Sequence, residues 1–188
     1  QPELLVNNQF WTIVASQSDL RHYHSCALLL PDGRVFVSGG EGLAGFQGGA
    51  RPTDYQIYNP PYITLGLARP SGVVVTTLSG ALVGENTFGG LNYGGTYHVS
   101  WNGGALPTGV QVEKCVLISP AALTHHDDGG QRYYALPIQV VDDTTTPGSI
   151  RQFTMPINHR QLPRGWYMLF LVTNQGAPSA LAYWVNVR

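Results

Sequence analysis

The feature that most restricts the fold of this chain is its succession of short apolar runs separated by glycine- and proline-rich turns. Downstream of Pro70, such runs occupy residues 72–77, 96–101, 110–119, 132–140, 149–155, 166–173 and 180–187. Runs of this length, rich in β-branched and aromatic residues and bounded by turn residues, are typical of strands. Seven strands at this spacing predict a β-sandwich, and no segment predicts a helix.

Composition agrees with an all-β protein and excludes several classes of partner. The 188 residues include 23 glycines, 13 prolines and 10 tyrosines, and this length is enough to bury most apolar surface in one or two domains. The formal net charge is only −1 and Lys114 is the single lysine, so neither nucleic acid nor an anionic membrane is an expected partner. No apolar run approaches the roughly 20 residues that a membrane span requires.

The segment before Pro70 begins with a predicted hairpin. Residues 28–30 and 34–38 are apolar, and Asp32-Gly33 between them predicts a two-residue turn. The glycine pair at 39–40 follows the second strand directly.

A glycine-rich loop at 42–49 and a further strand at 54–58 complete the pattern of a kelch repeat, one blade of a β-propeller. A blade must stack on neighbours to bury its faces, and an array needs at least about three. We therefore divide the chain into residues 1–69, the last strands of a propeller that is incomplete alone, and residues 70–188, the sandwich. The alternative is that the upstream strands join the sandwich in one sheet system.

The methionines and cysteines give two further expectations. The chain begins at Gln1 and its methionines are Met155 and Met168, which predicts a product cut by maturation or by an experimenter, with any signal peptide lost. Cys26 and Cys115 allow one disulfide, two free thiols or a link to another chain. Apolar strand positions suit two buried free thiols at least as well as a bridge.

Two segments carry side chains suited to metal chemistry. In the first, Tyr23 and His24 are adjacent just before an apolar strand. Neighbours in a strand point to opposite faces, so a site that uses both side chains needs a bent or bulged backbone. The structural alternative is a packed tyrosine beside a strand histidine with satisfied hydrogen bonds.

The second segment is the loop THHDDGGQR at residues 124–132, where imidazoles suit copper, zinc, iron or nickel. Such a loop is more often a solvated polar turn than a metal site. His22, His98 and His159 have no partner pattern, and we interpret them as ordinary surface or core histidines.

Taken together, four segments show a family resemblance. They are RHYHSCALLLPDGRVFVSGG, then YNPPYI before ARP, then LTHHDDGGQR, and finally PRGWYMLFLVTNQGAPS. In order and spacing they resemble the C-terminal part of the galactose oxidase and glyoxal oxidase family of copper radical oxidases. The resemblance covers nearly the whole chain and is weakest over residues 72–114. It implies an all-β fold, with the last portion of a kelch propeller followed by an immunoglobulin-like sandwich that sends a hairpin towards the copper.

The resemblance also implies a ligand set. The Tyr-His of the family motif falls on Tyr23, an axial copper ligand and the base for the substrate hydroxyl proton, and on His24, an equatorial ligand. The hairpin histidine falls on His125, with the Gln-Arg pair at 131–132, so that His126 is a neighbour and not a ligand. Neutral imidazoles hold Cu²⁺ firmly, and a phenol at a metal loses its proton below its free pKa of about 10.

One part of the family's machinery lies upstream of this chain. A tyrosine joined to a cysteine by a thioether stores the second oxidising equivalent, and Cys26, at an ordinary strand position, is not expected to replace it. We therefore expect a companion chain or fragment that carries this radical cofactor and the rest of the propeller. The tip 127–130 also departs from the family's usual polar run, a departure that bears on the packing of the tip and not on the ligand.

The expected function is oxidation of a primary alcohol, sugar or aldehyde by dioxygen to give hydrogen peroxide, in a secreted or extracytoplasmic protein whose signal lies on the missing N-terminal part. One alternative is a non-catalytic carbohydrate-binding or structural relative, which would not need Tyr23, His24 and His125 together. Another is a copper site without the radical, limited to one-electron chemistry.

Overall fold

The computed structural model describes residues 3–6, 9–19, 21–41, 53–84, 87, 89–125, 127–130, 132–142 and 149–188, apart from the side chains of residues 5 and 6. Within these ranges the protein is all-β, as predicted. Fifteen described strands form five antiparallel sheets, and the same ranges contain one four-residue helix. The described part of the chain contains no helix of the length and apolarity needed to cross a membrane.

The upstream part consists of a hairpin and a three-stranded sheet. Strands β1 (Glu3–Val6) and β2 (Phe10–Ile13) pair with each other, and β3 (Ser25–Leu29), β4 (Val35–Gly39) and β5 (Tyr55–Tyr58) form a sheet in that order. The hairpin lies outside the sequence-based prediction. These sheets are not closed into a propeller, and the described residues show no strand pairing between them and the downstream sheets. The division at residue 69 stays a prediction.

The turn between β3 and β4 has three residues, so the predicted two-residue turn is wrong. Leu30 N donates to Arg34 O at 2.8 Å and Gly33 N donates to Leu30 O at 2.9 Å, which leaves Pro31, Asp32 and Gly33 in the loop. Gly33 has a φ of 83°. A turn closed by a left-handed glycine is the usual three-residue hairpin connection, and the glycine was the sequence signal for it.

Helix α1 (Pro61–Thr64) follows β5 and was not predicted. Proline suits the first position of a helix because the missing N–H has no intrahelical acceptor there. The pair Pro60-Pro61, interpreted above as the end of a strand, is therefore also the start of a short helix.

Ten strands follow. They are β6 (Val73–Thr77), β7 (Thr96–Trp101), β8 (Val112–Ile118), β9 (Leu123–Thr124), β10 (Asp127–Asp128), β11 (Tyr133–Leu136), β12 (Ile138–Asp142), β13 (Ile150–Thr154), β14 (Gly165–Thr173) and β15 (Tyr183–Val187). Two four-stranded sheets, β11-β8-β14-β15 and β12-β13-β7-β6, form the sandwich, and β9 and β10 make a small separate hairpin. The immunoglobulin-like sandwich is thus confirmed.

The predicted continuous strand at 132–140 is in fact two strands in different sheets. Leu136 of β11 pairs with Cys115 of β8, whereas Ile138 of β12 pairs with Phe153 of β13. Pro137 lies between them, and proline cannot donate a hydrogen bond to a ladder. The chain changes sheets at this residue.

Strand β14 is buried on both faces, which explains its continuous apolar sequence. Fully buried core residues between the two sheets include Val75, Val99, Leu117, Leu169, Leu171 and Val185. On the other face of β14, Met168 and Phe170 form a second cluster against which Leu29 of β3 packs. Burying each such side chain contributes roughly 1.5–3 kcal/mol. The outer face of the sandwich therefore contacts the three-stranded sheet.

Hydrogen bonds join the same two parts of the molecule. Arg69 donates to Asp32 O at 2.7 Å, to Pro178 O at 2.9 Å and to Ser179 O at 2.8 Å. The backbone N–H of Ala182 donates to Pro31 O at 2.7 Å. Arg69 thus links the β3–β4 turn to the loop before β15.

Both cysteines are free: Cys115 is buried on β8 and Cys26 is partly buried on β3. Of the alternatives left open by the sequence, the intrachain disulfide is excluded.

Candidate metal centre

The structure brings the three predicted ligand side chains together. Tyr23 and His24 lie in the turn before β3, and His125 lies in the turn between β9 and β10. The ring centroids are 4.0 Å apart for Tyr23 and His24, 4.9 Å for His24 and His125, and 6.0 Å for Tyr23 and His125. Two segments far apart in sequence therefore bring one phenol and two imidazoles into mutual contact.

The predicted backbone bend at Tyr23-His24 is confirmed. His24 has a φ of 65° and His125 a φ of 51°, and these are the non-glycine residues with positive φ among those the structure describes. A left-handed conformation costs an L-residue roughly 1–2 kcal/mol. Strain of this kind persists where the surrounding structure over-determines it, and it concentrates at functional sites.

The glycine pair after β4 makes room for the His24 turn. A Cβ on Gly39 would lie 2.8 Å from His24 O, so only glycine fits beside that carbonyl group. Gly40 N donates to His24 O at 3.3 Å, and Ser25 N donates to His22 O at 3.1 Å to close the turn. The pair that predicts a kelch repeat therefore also positions the candidate site.

Arg21 holds the start of this turn. Its side chain is only 2% exposed and donates to Gly39 O at 2.9 Å and to Asp54 Oδ1 at 2.8 Å. The hydrogen bond from Arg21 lowers the pKa of the Asp54 carboxyl below its ordinary value. Arg21 thus connects the segment before His24 to the end of β4 and the start of β5.

Asp128 organises the loop that carries His125. Its Oδ1 accepts hydrogen bonds from Ala122 N and Gly130 N, both at 2.8 Å. Thr124 pairs with Asp127 across the small hairpin, so the His125 turn is closed from both ends. The tip that departs from the family's usual run therefore forms its own compact turn. Asp followed by Gly-Gly was the available sequence signal, since Asp side chains bond the backbone two residues on.

Each imidazole has one nitrogen engaged by a neighbouring side chain. His24 Nδ1 lies 2.8 Å from Glu41 Oε1, and His125 Nδ1 lies 2.6 Å from Thr124 Oγ1. In both rings Nε2 remains as the atom suited to bind a metal. Glu41 was not predicted from the sequence, since no motif spacing points to it. Thr124 lies in the predicted segment 124–132 but had no predicted role.

Two imidazoles and a phenol suit a borderline metal ion such as Cu²⁺. Within the described ranges, no group of three His, Cys, Asp and Glu side chains is suited to a metal. The phenol of Tyr23 lies beside the two imidazoles. His126 and Gln131 lie outside the described residues. His159 packs against Tyr93 with centroids 6.5 Å apart, away from this cluster of donors.

Comparison with known proteins identifies the family. The family model for the galactose oxidase-like early set domain matches residues 82–187. The chain belongs to this family. The resemblance to galactose oxidase drawn from the sequence motifs is thereby confirmed, and the matched residues cover most of the early set domain's sandwich.

Curated relatives extend the match upstream of the early set domain. An aldehyde oxidase of Arabidopsis thaliana is 28% identical over 170 residues, covering 89% of this chain and 26% of the relative. A galactose oxidase of Gibberella zeae is 31% identical over 162 residues, covering 86% of this chain and 21% of the relative. The chain thus spans about a fifth to a quarter of the length of these oxidases.

A solved structure shares the fold of the whole chain. A fungal alcohol oxidase in complex with copper superposes with a TM-score of 0.75 and 24% sequence identity, covering 99% of this chain and 35% of the oxidase. At this level of identity the match shows the fold, which includes both the early set domain and the upstream sheet.

Proposed function

We propose that this chain supplies three copper ligands, Tyr23, His24 and His125, to a copper radical oxidase. The observation that carries the proposal is the convergence of one phenol and two imidazoles from distant segments, with centroid separations of 4.0 to 6.0 Å and with Nδ1 of each imidazole already engaged. The relatives named galactose oxidase and aldehyde oxidase support the reaction class.

The reaction is oxidation of a primary alcohol, sugar or aldehyde by dioxygen. For an alcohol, RCH₂OH and O₂ give RCHO and H₂O₂, so two electrons and two protons pass from the substrate to dioxygen. Copper, when bound, supplies one of the two oxidising equivalents and lowers the pKa of groups at the site. The other equivalent comes from a Tyr-Cys thioether radical on a part of the protein outside these 188 residues.

The roles of the chain's own residues follow from their chemistry. His24 and His125 would hold the metal, because a neutral imidazole offers one ring nitrogen with a lone pair and Nδ1 of each ring already contacts a neighbouring side chain. Tyr23 Oη takes the proton of the substrate hydroxyl group, since the phenol is 43% exposed and sits against His24.

A companion chain or fragment with the remaining propeller is part of this proposal. Phe10, Trp11 and Ile13 of β2 are more than half exposed. A two-stranded hairpin is marginal in water without a packing partner, so the companion would cover β1 and β2. An extracytoplasmic location, with its signal on the N-terminal part of the protein, rests on family membership.

The test is copper content and peroxide release in the assembled protein. His24→Ala and His125→Ala should each remove copper retention and abolish peroxide production from a primary alcohol or small aldehyde. His159→Ala, which removes an imidazole outside the cluster, should retain both. Unchanged copper content in His125→Ala would refute the ligand assignment. Full copper loading without peroxide from either substrate class would favour the non-catalytic relative.

A further inference from the structure

We propose that Glu41 is a positioning residue for the metal site, which orients the imidazole of His24 and adds negative charge behind it. The inference rests on the proposed copper site and concerns a residue outside its ligand set. Metal-bound histidines commonly donate their second ring N–H to a carboxylate, which sets the tautomer and raises the basicity of the ligand atom.

The contact has the geometry of a strong hydrogen bond. Glu41 Oε1 lies 2.8 Å from His24 Nδ1, and the carboxylate is the more sheltered partner, 26% exposed against 43% for the imidazole. An ionised carboxylate only accepts hydrogen bonds, so Nδ1 is the protonated nitrogen and Nε2 carries the lone pair. The contact therefore selects the tautomer that binds a metal through Nε2.

The local backbone explains how Glu41 reaches this ring. Gly39 and Gly40 have φ values of 69° and 102°, so the chain turns sharply at the end of β4. A Cβ on Gly40 would lie 3.2 Å from Arg21 Cα, which means that the turn passes close under the segment leading to His24. The next residue along the chain is Glu41, and it comes out of this turn beside the imidazole.

The two histidines differ in the partner of Nδ1. His24 faces a carboxylate, whereas His125 faces the neutral hydroxyl group of Thr124 at 2.6 Å. A charged acceptor polarises an imidazole more than a neutral hydroxyl group does. His24 is therefore the stronger electron-pair donor of the two imidazoles. The negative charge of Glu41 favours Cu²⁺ over Cu⁺ at the site.

The experiment compares Glu41→Ala, Glu41→Gln and His24→Ala in the assembled protein, with Glu113→Ala as control. Glu113 is an exposed carboxylate on β8, so its removal changes the net charge equally without touching the site. Cu²⁺ affinity is measured by competition with a chelator, and the copper environment by electron paramagnetic resonance. Glu41→Ala should weaken affinity by about 10- to 100-fold and alter the copper hyperfine coupling.

Glu41→Gln keeps an oxygen acceptor for Nδ1–H, so it should recover most of the affinity but raise the Cu²⁺/Cu⁺ reduction potential relative to the parent protein. A merely structural role for Glu41 would change neither the spectrum nor the potential. If His24→Ala loses copper while Glu41→Ala retains the parent affinity and spectrum, the inference is overturned and the copper site stands. If His24→Ala also binds copper as the parent does, the proposed function itself fails.

Discussion

The imidazoles of His24 and His125 lie 4.9 Å apart, and both residues adopt a left-handed backbone that histidine seldom takes. Each sits in a turn whose neighbours hold it there: Gly39 beside His24, and Asp128 below His125. The turn before β3 and the turn between β9 and β10 therefore bring their two histidine rings into contact. Local conformational preference was therefore overridden at both positions that present a candidate ligand.

The strain at His125 predicts a reversal of the usual ranking of glycine and alanine. His125→Gly should be more stable than His125→Ala by about 1 kcal/mol, because glycine adopts positive φ without steric cost. Urea unfolding of both variants measures the difference. The control variants His98→Gly and His98→Ala, in the extended strand β7, should show the opposite order of stability, since glycine weakens a strand interior. Greater stability of His125→Ala than of His125→Gly would contradict the left-handed turn.

The hydrogen bonds of Arg69 are expected to stabilise the contact between the two parts of the chain. Arg69→Ala removes three partly buried hydrogen bonds, to the carbonyl groups of Asp32, Pro178 and Ser179, and each such bond contributes about 0.5–1.5 kcal/mol. We expect a loss of at least about 2 kcal/mol in unfolding free energy. Arg69→Lys keeps the charge but not the planar fork, so it should recover only part of the loss. Full recovery by lysine would show that charge alone matters.

Asp32 predicts an acid-sensitive contribution to stability. The side-chain hydrogen bond from Arg34, 2.7 Å from Arg34 Nε to Asp32 Oδ2, lowers the pKa of the Asp32 carboxyl below 3.8. A lowered native pKa means that the contribution is present above the unfolded value and is lost as pH falls through the native one.

Asp32→Asn should therefore lower the thermal midpoint at neutral pH, and the difference from the parent should shrink below about pH 4. Arg34→Gln tests the same contact, and the double variant should add little to either single change. A difference that persists unchanged to pH 2 would assign the effect to something other than this carboxylate.

The two cysteines predict distinct reactivities. Burial raises the pKa of the Cys115 thiol well above its ordinary value, and the residue is fully buried on β8. Because the thiolate is the reactive form, iodoacetamide should label Cys26 in the native protein and Cys115 only after unfolding. Mass spectrometry of the peptides measures both. If neither is labelled in denaturant without a reductant, the free thiols are contradicted.

Much of the fold was predictable because each sandwich strand carries its own signal. Strands β6, β7, β13, β14 and β15 match the predicted runs to within a few residues at their ends, since alternation and turn residues are local properties. The two-residue turn before Arg34 and the continuous strand across Pro137 were wrong. In each case the outcome depended on which strand the following segment pairs with. Gly33 and Pro137 marked the positions of the turn and of the change of sheet in the sequence.

The candidate ligands were predictable from the motifs, whereas their surroundings were not. Tyr23, His24 and His125 were named from residue types and order, but Glu41 lies in no recognisable spacing and reaches His24 only because Gly39 and Gly40 turn the chain. A contact between side chains on different elements depends on the course of the backbone in space, which a short stretch of sequence does not specify.

By itself the sequence determined an all-β chain, its sandwich strands and three candidate donors, because apolar alternation, turn residues and motif order act locally. Only the tertiary structure decided that the donors meet, that both imidazoles adopt left-handed turns and that Glu41 and Thr124 engage their Nδ1 atoms. The physical reason is that such relationships depend on how segments far apart in the chain pack together, as Leu29 does against the cluster that contains Phe170 and as Arg69 does through its hydrogen bonds.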